Sequence, residues 1–423
     1  MRPSDKIILI RQAKYDRIKH KFYGEIGMIY DIIIIGAGAS GLAAAIAAKR
    51  ENRTLNIAAV EALPRVGKKI LATGNGRCNL TNTRASAENY TNSEFAKNAL
   101  REYPPERVID FFRSIGLLCV TDGEGRAYPM SNTAASVLDA LRFECERLGV
   151  EFICEKHVDS VKRTNGIFTV GKLVAKKVII CTGGCASSSH GSDGSGFELL
   201  KSFGHHITEV YPGLVQLTVK ENTKMLKGVR VKAAVSLMSS GKTVDGAAGE
   251  VLFTDYGLSG ISVMDISRSV KDGDYTCLIN ALPRCEEDAV LNFLLSLSGE
   301  MPIENALSGM MPRTLCRYIL RRCGIDSLVP LGEIGREKLK KIIATARGLN
   351  FTISGTKGFK NAQISVGGAD VHEFNSKTME SKLVKGLFCA GEVLDVDGIC
   401  GGFNLQWAWA SGLLAGRCAA GEN

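Results

Sequence analysis

Asp31-Ile32-Ile33-Ile34-Ile35-Gly36-Ala37-Gly38-Ala39-Ser40-Gly41, continued by the alanine-rich stretch Leu42–Arg50, decides the architecture of this chain. A short β-branched run is what a strand buried on both faces requires. The glycine cluster then turns the chain into a helix reaching about Arg50. A second apolar run, Asn56–Val60, ends on Glu61. The order is strand, glycine turn, helix, strand, acid, and each part has a task. Gly36 permits the tight turn, Gly38 lets backbone amides approach a pyrophosphate at the helix N-terminus, and Gly41 lets helix and strand pack closely. Glu61 stands where a carboxylate accepts hydrogen bonds from the ribose hydroxyls of an adenosine. The pattern predicts a dinucleotide site in an α/β, Rossmann-like fold.

Length and composition bound what surrounds that unit. The 423 residues allow two or three domains and exclude a single small binding module. Ordinary proportions of apolar (45%) and charged (23%) residues argue against disorder, collagen-like repeats and coiled coil. Ile32–Ala48 imitates a membrane span. It is shorter than the roughly 20 residues a span needs, and its fixed glycine spacing points to the turn instead. The formal net charge is +9, but residues 1–27 hold seven Lys/Arg against three acids, so 1–27 reads as a basic extension ahead of the first strand. The remainder is mildly basic, and its composition argues against a nucleic acid as partner. Thirteen cysteines without a CxxC pair or a Cys/His cluster at zinc spacing fit a reducing cytoplasm and no metal site.

Further along, Val137, Leu138, Leu141, Cys145 and Leu148 recur at helical spacing with Asn132 or Thr133 as cap. A strand at Val150–Cys154, a small meander turning at Asn165-Gly166 and a return strand Val174–Cys181 follow, the last ending in Thr182-Gly183-Gly184. Residues 28–213 and 346–423 read as one discontinuous cofactor-binding domain. Residues 214–345 read as an insertion, β-rich over 214–282 and helical over 283–345, because no βαβ alternation appears there. Near the C-terminus, the strand Leu387–Ala390, Gly391-Glu392 and the loop Asp397–Gly402 lead into a helix from about Asn404 to Gly416. Its N-terminal amides form a second anion or carbonyl site.

Gly67-Lys68-Lys69-Ile70-Leu71-Ala72-Thr73-Gly74-Asn75-Gly76-Arg77-Cys78-Asn79-Leu80-Thr81-Asn82 combines cations, glycines and short polar side chains, which suit phosphate oxygens and an electron-rich ring. This segment resembles the GKKxxxTGxGRCNxTN signature of the BaiN-like flavoproteins, also described as the aminoacetone oxidase group, within the two-dinucleotide-binding-domain FAD family. The run Thr378–Lys382, Gly386-Leu387-Phe388, Gly391–Gly398 and Gly401–Gln406 is similar to the same family's ending.

The resemblance implies a two-dinucleotide-binding-domain flavoprotein fold holding FAD, with the pyrophosphate over Gly36, Gly38, Ala39, Ser40 and Gly41 and the adenosine ribose on Glu61. It implies that Lys68, Lys69, Arg77, Cys78 and Asn79 line the flavin side, and that the Val158 backbone touches the adenine. Gly391 and Glu392 would hold the ribityl or pyrophosphate region, and the amides of Gly402, Phe403, Asn404 and Leu405 would face the flavin pyrimidine. It also implies NAD(P)H as reductant; because no second GxGxxG follows a strand, the nicotinamide would bind transiently over the flavin, or else electrons would arrive from another donor. The substrate would be a small apolar or steroid-like molecule, free or as a CoA thioester. The activity named for the family is reduction of the 4,6-diene of 3-oxo bile-acid intermediates. The proton donor is open between His190, after the Thr182–Gly184 turn, and Tyr256 in the insertion. Two other readings stay open: an amine or aminoketone oxidase that releases peroxide, and an FAD-dependent RNA-associated protein using the basic extension.

Overall fold

The computed structural model describes residues 29–421. The basic extension 1–27 lies outside the described residues. The described chain divides into two units.

The first unit comprises the chain up to Gly184, Ser189–Glu209 and Gly367 onwards. Its centre is a seven-stranded sheet. Glu151–Ile153, Ile57–Val60, Ile29–Ile35 and Leu173–Ile180 lie side by side and parallel, and the hairpin Val161–Thr164/Ile167–Val170 adds to one edge. Leu387–Cys389 also pairs in parallel with Leu173–Ile180, Phe388 opposite Ile179. Ile32 to Ile35 are buried, as the unbroken β-branched run requires. The helix Ala39–Glu51 is buried almost all round because it is packed on two sides, by the C-terminal helix Phe403–Ala420 and by Ala134–Arg147. Thr133 is the residue that caps Ala134–Arg147, its Oγ1 accepting from the Ala135 N–H at 3.4 Å. A three-stranded sheet of Thr81–Asn82, Arg126–Pro129 and Cys119–Thr121 holds the end of the cationic signature. Ile32–Ala48 is thus a strand, a turn and a helix, and among the described residues no helix is long and apolar enough to cross a membrane.

The second unit is Val210–Val366 with Cys185–Ser188. Six strands close a barrel in the order Leu217–Val219, Gly257–Ser259, Lys242–Phe253, Arg230–Ser239, Thr276–Asn280 and Leu349–Thr356. Alternate residues Val231, Ala233, Val235 and Leu237 point into a core that continues under the helices Glu287–Ser296, Ile303–Ser308, Arg313–Cys323 and Arg336–Arg347. Two features go beyond the sequence reading. The short strands close on themselves, and the closing strand, Leu349–Thr356, lies beyond the expected boundary at 345. The change of unit falls after Val366.

Candidate functional site

The glycine turn is packed as tightly as its spacing predicts. A methyl group on Gly41 would stand 2.0 Å from the Gly36 carbonyl oxygen, and one on Gly36 would stand 2.5 Å from the Cys181 carbonyl oxygen. Both positions are closed to any side chain. At Gly38 an added methyl would meet nothing within 4 Å, so the open side of the turn is there. No side chain caps the helix Ala39–Glu51; Leu42 is the first residue whose N–H returns to the turn, donating to Gly38 O at 3.0 Å. The amides of Ala39, Ser40 and Gly41 therefore lack an intrahelical acceptor, at the positive end of the helix dipole.

Glu61 is buried beside this turn. Its Oε2 accepts from the Ala37 N–H at 3.0 Å and its Oε1 from the Leu63 N–H at 3.0 Å. Lys156 and Glu155, just before Val158, hydrogen-bond back to Glu61 O and Leu63 O, so the expected adenine and ribose contacts lie together. His190 belongs to this end too. The next residue, Gly191, packs on Leu63 with Glu61 Oε1 close by, and Asp193 faces His157 at 3.6 Å. The structure thus places the His190 loop with the residues expected to hold adenosine, and Tyr256 in the second unit under the Lys357 ammonium, 4.7 Å from its ring centre.

A second group assembles from both halves of the first unit. Lys69 Nζ is 2.8 Å from Glu392 Oε2, joining the cationic signature to the C-terminal motif. Lys68 is exposed at the start of the short helix Lys68–Ala72. Asn79 is buried, yet its Oδ1 has no hydrogen-bond partner. That oxygen would lie 2.8 Å from a methyl group on Gly402, which adopts φ +104°. Gly402 begins the helix Phe403–Ala420, again without a side-chain cap, and Gln406 is the first residue to donate back to it, at 3.0 Å. The Phe403, Asn404 and Leu405 amides are therefore a second set without intrahelical acceptors.

Three of the expected residues have side chains engaged elsewhere. The Cys78 thiol is buried, and burial, together with the nearby Cys119 and against a bond to Thr73, pushes it up to about 12. It packs rather than lining an open surface. Arg77 is exposed, its guanidinium 4.8 Å over the Tyr128 ring. The Asn404 side chain is spent on the loop, accepting from the Gly398 N–H and donating to the Gly398 carbonyl, each at 2.8 Å.

Sequence reasoning found no partners for His205. Its Nδ1 is 2.7 Å from Glu373 Oε2, its Nε2 2.9 Å from Ser381 Oγ, and its ring stacks on Phe374. Those partners lie about 170 residues downstream, where no local spacing could reveal them. Asp395 was missed as well. Burial raises its carboxyl above the ordinary value, against a 3.1 Å hydrogen bond from Thr208 Oγ1. Among the described residues no group of three or more His, Cys, Asp or Glu is placed to hold a metal ion.

Two uncapped helix N-termini, an open glycine turn and an orphaned amide oxygen form a cradle for a molecule with a pyrophosphate and a hydrogen-bonding ring. The family model described as the HI0933-like protein Rossmann domain matches residues 30–418. The chain belongs to that family. It is an FAD-dependent oxidoreductase with an α/β Rossmann-type flavoprotein fold and an inserted barrel. The HI0933-like chain is 40% identical over 402 residues to a 3-dehydro-bile acid delta(4,6)-reductase of Clostridium scindens, covering 92% of this chain and 98% of the relative. It is 32% identical over 391 residues to a ribosomal RNA dihydrouridine synthase of Escherichia coli, covering 90% and 96%. Among solved structures, a 3-ketosteroid delta1-dehydrogenase from Sterolibacterium denitrificans aligns with a TM-score of 0.49 at 10% identity, over 93% of this chain and 99% of that one.

Proposed function

We propose that this HI0933-like oxidoreductase reduces a carbon–carbon double bond conjugated to a carbonyl, with NAD(P)H as the transient electron source. The observation that carries the reading is the pairing of the Asn79 oxygen with the uncapped N-terminus at Gly402, a donor and acceptor set suited to the edge of an isoalloxazine. FAD, when bound, supplies hydride transfer. The chain's own residues hold it. The Ala39, Ser40 and Gly41 amides would take the pyrophosphate, and Glu61, held by the Ala37 and Leu63 amides, would also accept from the adenosine ribose, beside Val158. Lys69 and Glu392, already paired, bracket the middle of the cofactor, with Gly391 leaving room for the backbone. The Phe403–Leu405 amides put positive potential where negative charge accumulates on a reduced ring.

The named activities of the two relatives share this chemistry. A 3-oxo-4,6-diene and the C5=C6 bond of uracil are both alkenes conjugated to a carbonyl. A steroid-like substrate is favoured by the identity of the bile-acid relative. An RNA uridine is favoured by one observation in this chain: the positive charge of the second unit, developed below. The test is anaerobic reduction of the purified flavin by NADH or NADPH, followed by reoxidation with 3-oxo-4,6-diene steroids, simple enones and uridine-containing RNA. Reoxidation by none of these, with rapid reoxidation by oxygen and release of peroxide, overturns the reading in favour of an aminoketone oxidase.

A further inference from the structure

Positive charge is unevenly placed along the chain. Residues 210–366 hold twenty Lys/Arg against fifteen Asp/Glu, whereas 28–209 and 367–423 together hold twenty-six of each. The excess concentrates on one helix. Arg313–Cys323, sequence RTLCRYILRRC, carries four arginines and no acid. Leu315, Cys316, Ile319, Leu320 and Cys323 bury one face in the core of the second unit. Arg313, Arg317 and Arg321 recur at i, i+4 and i+8 on the exposed side, so they form a single ridge with about 6 Å of rise between neighbours.

The surroundings of the ridge keep it extended and positive. Glu304, buried at the N-terminal end, takes both Arg313 (3.4 Å) and Arg317 (2.9 Å), so one carboxylate faces two guanidiniums. Arg322 donates to the neutral Asn350 side chain at 2.7 Å and keeps its charge. Lys341 reaches the Cys323 carbonyl, 3.5 Å away at the helix C-terminus. Exposed Lys224 stands on the turn Lys224–Leu226, which packs against the same helix.

Like charges at i, i+4 destabilise a helix; Glu304 offsets this at Arg313 and Arg317, and the helix dipole favours Arg321 and Arg322 in the last turn, yet none of the four has an acid of its own. Arginine in place of lysine on all four positions favours planar, two-pronged contact with phosphate. The repeat of about 6 Å is comparable with the spacing of consecutive phosphates on a sugar–phosphate strand. A lipid surface fits less well, because the helix has already spent its apolar face on the core and has none to insert.

We propose that the ridge Arg313–Arg317–Arg321, with Arg322, Lys341 and Lys224, is a docking surface for the phosphate backbone of RNA. The inference rests on the conjugated-alkene reading above, with the uracil ring as acceptor. The surface supplies affinity and leaves the chemistry to the first unit.

The test uses the FAD-loaded full chain and in vitro-transcribed ribosomal RNA in filter binding across a salt series. Arg321→Ala/Lys224→Ala is expected to weaken binding about tenfold at low salt and to flatten the salt dependence by about one unit per lost phosphate contact. Arg321→Lys is expected to recover part of the loss, and Arg53→Ala, in the first unit, to change nothing. Flavin content and melting temperature are read for every variant, so that a folding defect is separated from a binding defect. Unchanged affinity and salt slope in a folded, flavin-loaded double variant overturn the proposal. So does a wild-type chain that binds no RNA at low salt, or one that binds phosphatidylserine vesicles more tightly than RNA. Reoxidation of the flavin by cyclohexenone, measured on the same samples, reports on the alkene-reductase reading independently of the ridge.

Discussion

Glu61 holds two backbone amides with one carboxylate, from Ala37 on one side and Leu63 on the other. A ligand ribose would join this arrangement, so the side chain couples the shape of the turn to cofactor retention. Glu61→Ala is expected to weaken FAD binding by roughly 1.5–3 kcal/mol, the range for hydrogen bonds to a charged group, and equilibrium dialysis of the flavin measures it. Retention equal to that of the wild type refutes the assignment of the ribose to Glu61. Cys78 supports a second prediction. Burial keeps its thiol protonated up to about 12, so native protein treated with iodoacetamide near pH 8 should be alkylated at exposed Cys285 and not at Cys78, as read by peptide mass spectrometry. The neutral thiol is the form the fold accepts. The stability tied to it is therefore full below the ordinary thiol value and is lost as pH climbs from there through about 12.

The C-terminal helix Phe403–Ala420 does more than present its first amides. Gly412 and Gly416 lie one turn apart and let its backbone lie directly on the helix Ala39–Glu51; an added methyl would stand 2.4 Å from Ser40 O at the first and 2.1 Å from Ala44 O at the second. Gly416→Val should force the two helices apart and cost about 1–3 kcal/mol, seen as a lowered melting temperature together with reduced flavin content. Stability and flavin content equal to wild type would show that the contact gives way freely. Neither glycine signals this role in the sequence, because spacing of four on a helix says nothing about what lies opposite, and the partner is more than 350 residues earlier. The strand–turn–helix at Ile29–Glu51 was legible for the opposite reason. Gly41 meets the Gly36 carbonyl oxygen inside the same short unit, so local spacing carries that constraint, whereas the neighbour that crowds Gly36 is the Cys181 carbonyl oxygen, distant in sequence. The barrel was only half legible. Glycine-separated apolar segments announced strands, but closure depends on Leu349–Thr356 pairing back to Leu217–Val219, across some 130 residues.

At the scale of the whole molecule, the proposed cofactor cradle draws on two stretches far apart in sequence, near residues 36–79 and 391–405, and a ligand bridging them would add its binding energy to folding. Apoprotein stripped of flavin should therefore melt well below the holoprotein. FAD at a hundred times its dissociation constant should restore about 2.7 kcal/mol, detectable by calorimetry, and an unchanged transition would mean that the cradle does not bind FAD. The candidate site was readable in the sequence as separate motifs. How they converge, with Lys69 on Glu392 and the Asn79 oxygen at Gly402, was not, because each contact spans more than 300 residues. The same convergence has a consequence for how the protein is made. A ribosome adding 5–20 residues per second takes roughly 20 to 70 seconds to travel from the glycine turn to Gly402. Throughout that interval the helix Ala39–Glu51 has emerged with nothing to cover the surface that Gly412 and Gly416 will occupy. A nascent chain can thus display the dinucleotide turn long before it can keep a flavin, and holoenzyme formation waits for the last stretch of translation.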